Sequence, residues 1–270
     1  WTALAAFAAT TKRIRMSPHV TPLTLRNPVF VAQMARNVDL ISNGRLTLSL
    51  GTGWNRPEFE CFGFPYDASF AIRTAKTIEG TELLLKLWTE DNLVSYEGKY
   101  YTLRNAPFWP KPVQKPHPPI WYGGSGKSVR KLVAKYGDGW TPAMMHTPLT
   151  PEVYGERLTD IRNMAAEQGR DPSKILPSVM VGSSIDKDRG KARERGAHAL
   201  QRPGMTPQEC EDQGVIIMGT PDDVTRGLER YVKAGVRHLI IKFAPAWNLD
   251  AIHAGLELYR EKVFPHFGTK

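Results

Sequence analysis

Segments with the 3.6-residue apolar period of an amphipathic helix alternate with short strand-like runs along this whole chain. Residues 13–16, 45–50, 119–122, 139–144, 175–183 and 236–243 read as strands, with helical segments between them. In the second run Leu46, Leu48 and Leu50 alternate with Thr47 and Ser49. That is the pattern of a strand packed on helices by one face, with small polar residues turned inward. Strands joined by helices pair in parallel through right-handed crossovers, so a parallel α/β fold follows. The alternation alone does not separate a doubly wound sheet from a (β/α)₈ barrel, but 270 residues is a barrel's usual size. About six of the eight strands are visible, and residues 1–9 read as the tail of a helix. Both facts are accounted for if the first two βα units precede residue 1. On this reading residues 1–270 are a single, N-terminally incomplete barrel domain. The charged stretch 184–213 is then an insertion or mobile loop within it.

Composition removes several classes of function. Hydrophobic residues make up 41%, and no apolar stretch reaches the length of a membrane helix, so a soluble protein without a membrane partner is expected. Cys61 and Cys210 are far apart and form no CxxC pair, which argues against a disulfide framework or a zinc site and for a reducing cytoplasm. The net charge of +9 comes from scattered basic residues without an aromatic–basic stripe, so nucleic acid is not the expected partner. A polyanionic small molecule would use the same field.

The stretch 118–140 carries the clearest binding signal. A short apolar run ending in Trp121 and Tyr122 is followed by Gly123, Gly124 and Gly126, which permit positive φ or close approach to a ligand. Ser125 stands as a helix N-cap, Val129, Leu132, Val133 and Tyr136 form the apolar face, and Gly137 closes the helix as a C′ residue. Such a turn points free N–H groups and a positive dipole end at a phosphate, with Lys127 and Ser128 in the first helical turn. Neither G-x-G-x-x-G nor G-x-x-x-x-G-K-[ST] is present, so a phosphate cradle and an ordinary glycine-rich βα turn both fit. His19 lies at the end of the first strand. Gly51-Thr52-Gly53-Trp54-Asn55 lies at the end of the second, where barrel sites concentrate. The loop from there to Phe70 carries Glu58, Phe59, Phe62, Phe64 and Tyr66, too aromatic for a linker.

Asn27-Pro28, the run from Asp39 to Leu46, Gly51 to Asn55, Glu58, Phe62-Gly63, Pro118 to Ser125, Asp138-Gly139-Trp140, Gly219-Thr220-Pro221 and Ala234-Gly235-Val236 occur in an order that resembles the bacterial luciferase-like flavin oxidoreductases. The resemblance covers essentially the whole chain. It implies a TIM barrel with an insertion, and an oxidoreductase or monooxygenase that acts on a small organic substrate. The cofactor it implies is reduced FMN with oxygen, or the deazaflavin coenzyme F420 for hydride transfer. It implies a phosphate cradle at Gly124, Ser125, Gly126 and Ser128 and a second anion contact from Thr52 and Arg73, with Thr52 standing where luciferases proper carry arginine. It further implies a cis peptide behind the flavin ring within Ser17-Pro18-His19. Ser17 and Pro18 are thus cofactor-binding candidates together with Gly51, Gly53 and Trp54, while His19 and Asn55 are the catalytic ones.

A flavin carries the chemistry itself, which explains the absence of a triad or carboxylate pair. The aromatic loop 59–66 would exclude water from a reactive adduct. FMN and F420 both stay open, although the acidic tail of F420 suits the positive charge. A non-catalytic barrel paralogue is the alternative, and an aldolase-like barrel would have only Lys242 as a weak Schiff-base candidate. Open strand edges at 13–16 and 236–243 make a homodimer the expected state.

Overall fold

The computed structural model describes residues 1–143, 149–200, 206–244 and 249–268. The chain divides into two compact units, Trp1–Gly139 and Trp140–Lys270.

In the first unit α1 (Thr2–Thr10) leads to an isolated parallel bridge between Met16 and Leu46. The ladder resumes where β1 (Thr21–Pro22) pairs with β2 (Leu48–Gly51), Thr21 lying opposite Leu50. From Met16 to Thr21 the chain advances five residues while the partner strand advances four, from Leu46 to Leu50. One residue is therefore bulged out. The strand read at 13–16 thus reduces to the single bridge at Met16. The helix α2 (Pro28–Ser42) starts as its sequence dictates, with Asn27 Oδ1 accepting the Val29 N–H at 2.9 Å and Pro28 in the first turn. Asn43, left-handed at φ 54°, stops it. Val31, Ala32, Ala35 and Val38 form its buried face, whereas Ile41, read as part of that face, is half exposed.

After α3 (Arg56–Cys61) and α4 (Phe70–Thr89), the antiparallel pair β3 (Val94–Glu97) and β4 (Thr102–Ala106) forms the extended excursion. The Glu79 carboxylate holds its turn by accepting the N–H groups of Lys99, Tyr100 and Tyr101. Strand β5 (Ile120–Tyr122) then pairs in parallel with β2 and runs into α5 (Lys127–Tyr136).

Strand β6 (Gly139–Trp140), where the second unit begins, is shorter than read. Ala143 makes a parallel bridge to Met180, and residue 144 lies outside the described residues. Thr150 caps α6 (Pro151–Glu167), whose Tyr154, Leu158, Ile161 and Ala165 are buried as their spacing predicts. The Trp140 and Tyr154 rings stack at 4.7 Å. The long strand β7 (Leu176–Ile185) is followed by α7 (Arg189–Leu200), α8 (Pro207–Asp212), β8 (Ile216–Gly219), α9 (Pro221–Lys233), β9 (His238–Phe243) and α10 (Leu249–Leu258). Both β8 and β9 pair in parallel with β7.

The sequence reading missed β8, a four-residue apolar run pressed between two helices. The stretch 184–213 was read as a charged insertion or mobile loop. The described part of that stretch is largely helical, and α7 packs on β7 and β8. Gly196 makes this possible, since a Cβ there would stand 2.2 Å from Met218 Sδ. Residues 201–205 of the stretch lie outside the described residues.

Candidate cofactor site

Leu50 is in register with Thr21 on one side and Tyr122 on the other, so the C-terminal ends of β1, β2 and β5 form a common rim. The main chain joins the last two directly, for the Gly123 N–H donates to the Leu50 carbonyl at 2.9 Å. The candidate residues lie at this rim or on the segments that enter or leave it, except Arg73, which is on α4. Parallel α/β proteins build their sites at such strand ends.

The bulged segment supplies one side. Ser17 Oγ and the fully buried Ser49 Oγ are 2.7 Å apart. The cis peptide is His19–Val20, so neither Ser17–Pro18 nor Pro18–His19 is cis, contrary to expectation. Val20 then packs over Gly51, where an added Cβ would lie 2.7 Å from Val20 Cγ2. That approach, rather than a turn, is why glycine ends β2. His19 itself is exposed on the bulge.

The β2 end supplies the middle. Gly53 has φ +70°, and a Cβ there would meet Thr24 Oγ1 at 2.7 Å and the Phe59 ring at 2.8 Å. Thr24 Oγ1 donates to the Thr52 carbonyl at 3.0 Å. Arg73, almost fully buried, donates to the carbonyls of Gly53 (2.9 Å), Ala68 (3.0 Å) and Asp67, and lies 4.8 Å over the Tyr66 ring. Those donors of Arg73 are committed to carbonyls, so its guanidinium braces the loop here. Asn55 is the N-cap residue of α3 without a side-chain capping bond, and Trp54 is 65% exposed.

The α5 turn supplies the third side. Its N-cap is Gly126 rather than Ser125, and no side chain caps the helix. The first-turn N–H groups of a ten-residue helix are thus left for an outside acceptor. Gly124 takes φ +98°, and a Cβ on Gly126 would meet nothing within 4 Å, so an open cradle faces these donors. Ser125 is buried, and its carbonyl accepts from Arg130 Nη1 at 2.8 Å. Ser128 is half-buried and Lys127 exposed. Gly137 ends the helix at φ −80° rather than in the left-handed form, and a Cβ on it there would lie 2.9 Å from Val133 O, so glycine is needed for close approach. The donor set and the open glycine cradle fit a phosphate group.

Sequence reasoning did not pick out Val20 or Thr24, whose partners Gly51 and Thr52 are distant in the chain. Ser49 was legible only as an inward-facing polar residue. Among the described residues no group of three or more His, Cys, Asp or Glu side chains could hold a metal ion, and no helix is long and apolar enough to cross a membrane.

Strand ends meeting at one rim, beside an uncapped helix behind a glycine turn, make an α/β protein with a site that fits a phosphate-bearing cofactor. The chain belongs to the luciferase-like monooxygenase family, whose family model matches residues 1–212. It is 32% identical to a phthiodiolone/phenolphthiodiolone dimycocerosates ketoreductase of Mycobacterium kansasii, over 89% of this chain and 76% of the relative. It is 28% identical to an F420-dependent glucose-6-phosphate dehydrogenase of Amycolatopsis mediterranei (strain U-32), over 87% and 75% of the two chains. Among solved structures, an F420-dependent secondary alcohol dehydrogenase in complex with an F420-acetone adduct superposes with a TM-score of 0.83 at 25% identity, covering 100% of this chain and 84% of that one. The fold is accordingly α/β with parallel strands, of the luciferase-like barrel type.

Proposed function

We propose that this chain is an oxidoreductase that uses coenzyme F420 to interconvert a ketone and a secondary alcohol. That it is a flavin- or F420-dependent oxidoreductase follows from its family and relatives. The narrower reading rests on relatives named for F420, ketone reduction and secondary-alcohol oxidation. The carrying observation is the uncapped amino end of α5 facing an open glycine cradle.

When bound, the deazaflavin supplies or accepts the hydride. The α5 N–H groups and the Ser128 hydroxyl hold its phosphate, and Gly124 and Gly126 allow close approach. Ser17, Pro18 and Gly51 form the floor, with Val20 seated on Gly51. Thr52, Gly53 and Trp54 line the adjoining wall, and Arg73 keeps that wall in place through the Gly53 carbonyl rather than by touching an anion. His19 is the imidazole that gives or takes the proton at the carbonyl oxygen, and the Asn55 carboxamide orients that oxygen. The substrate is a small molecule and the working form a cytoplasmic homodimer, a state consistent with exposed Phe7 and Phe30 on the packed helices α1 and α2.

The test is a titration of the purified protein with F420 and with FMN, followed by turnover with secondary alcohols. Tight F420 binding and alcohol-dependent bleaching of the oxidised deazaflavin are expected. FMN binding, with one atom of oxygen from O2 entering the substrate when reduced FMN is supplied, would instead establish a monooxygenase.

A further inference from the structure

We infer that the loop 54–72 is a platform for an extended, uncharged apolar part of the substrate, an inference that rests on the oxidoreductase reading above. Five large apolar side chains of this stretch, Trp54, Phe62, Phe64, Phe70 and Ile72, face solvent, with Phe62 74% exposed. Water exclusion by an inward-folded aromatic loop does not describe them, since of the phenylalanines at 59, 62 and 64 only Phe59 is buried.

The loop is braced rather than slack. Arg73 ties Gly53, Asp67 and Ala68 together and stacks over the Tyr66 and Phe70 rings. Tyr66 packs edge-on against Phe59 at 5.2 Å and its hydroxyl donates to the Trp54 carbonyl at 3.3 Å. The Phe64 N–H donates to the Phe59 carbonyl at 2.8 Å. Exposed aromatics on a braced support keep their places without a ligand, so little ordering cost falls on binding.

Charge identifies the occupant. Residues 54–72 carry Arg56 against Glu58, Glu60 and Asp67, and the two excess acidic charges are met by Arg73 and Lys76, which follow directly. Arg56 pairs with Glu60 and Lys76 with Asp67, each at 2.7 Å, and Arg73 is buried on carbonyls. Glu58 stands exposed in the first turn of α3 and disfavours an anionic ligand. A surface so neutralised and so apolar recognises alkyl or aryl area rather than a sugar phosphate. The platform also begins directly at the end of β2, three residues beyond Gly51, so its occupant is continuous with the reacting group at the rim.

The experiment compares the wild type with the Phe62→Ser/Phe64→Ser double variant, using a series of unbranched methyl ketones and their secondary alcohols with F420. For the wild type kcat/KM rises with chain length, by up to about fourfold for each methylene buried. In the variant that slope flattens, while F420 affinity and melting temperature stay unchanged because both side chains are exposed. An unchanged slope in the variant overturns the platform. A change in the sedimentation coefficient of the variant overturns it too, by making the patch a subunit contact. If F420 does not bind, the cofactor reading fails by itself, and calorimetric titration of a long methyl ketone decides the platform. Affinity at least tenfold weaker in the variant upholds it, and equal affinity overturns it.

Discussion

Ser17 and Ser49 join their hydroxyls at 2.7 Å, tying the bulged segment before β1 to the fully buried centre of β2. The bond crosses the place where the first segment carries one residue more than its partner. It therefore fixes the side chains around His19 at a point where the ladder cannot. Ser49→Ala is expected to cost about 0.5–1.5 kcal/mol by denaturant unfolding, the net worth of one such bond. A larger effect on cofactor affinity than on stability is expected, since the segment it anchors borders the rim. Equal affinity at reduced stability would count against that placement.

Gly51 and Val20 are coupled through space. Gly51→Ala pushes a Cβ against Val20 Cγ2 at 2.7 Å and should destabilise by about 1–3 kcal/mol through overpacking. Val20→Ala in the same molecule removes the obstructing methyl. The double variant should then be more stable than the two single effects summed, by at least about 0.5 kcal/mol. Simple additivity in a thermal melt would refute the contact.

Arg73 separates bracing from anion binding. Arg73→Lys cannot serve the carbonyls of Gly53, Asp67 and Ala68 together. A loss of about 2–3 kcal/mol is expected from charge-assisted bonds of that kind. Limited proteolysis should then cut faster within residues 54–69. If phosphate affinity fell while the cleavage rate stayed the same, the guanidinium would be an anion ligand instead.

Gly126 makes opposite demands visible at one residue. Its φ of −66° suits any side chain and its Cβ direction is open, so Gly126→Asp can cap α5. A capping carboxylate at a helix amino end should add about 0.3–1 kcal/mol of stability. It would also occupy the donors offered to the cofactor phosphate and repel that group, weakening affinity by about tenfold or more, or 1.4 kcal/mol. A variant that melts higher and binds the cofactor equally well would remove this helix end from the site.

Asp223 gives the second unit a pH signature. Partial burial disfavours its charged form, yet hydrogen bonds from Arg189 and from the Thr220 N–H and hydroxyl prevail and hold its pKa at about 2. The unfolded chain titrates near 3.9, so the depressed native value stabilises the fold fully above about pH 4. That contribution, about 2 kcal/mol, disappears as pH falls towards 2. Asp223→Asn should lower stability at neutral pH and flatten the loss between pH 4 and 2. Parallel pH profiles for the two proteins would exclude the linkage.

What the sequence determined alone was whatever depends on neighbours in the chain. Asn27-Pro28 and Thr150-Pro151 start helices because capping is satisfied within three residues. The buried positions of α6 follow from helical spacing, and the parallel α/β class follows from alternation. The glycine turn before α5 was legible for the same reason, although its cap fell one residue later at Gly126. Tertiary structure alone decided what depends on approach from a distance. The cis bond lies at His19–Val20 rather than beside Pro18, and Gly51 is small because Val20 lies over it. Arg73 donates to backbone because the loop carbonyls of Gly53, Asp67 and Ala68 converge on it. β8 took its place as a strand only because β7 extends far enough to pair with it. Local rules encode bonds that close within a few residues, whereas a contact across tens of residues exists only once the chain has brought its two ends together.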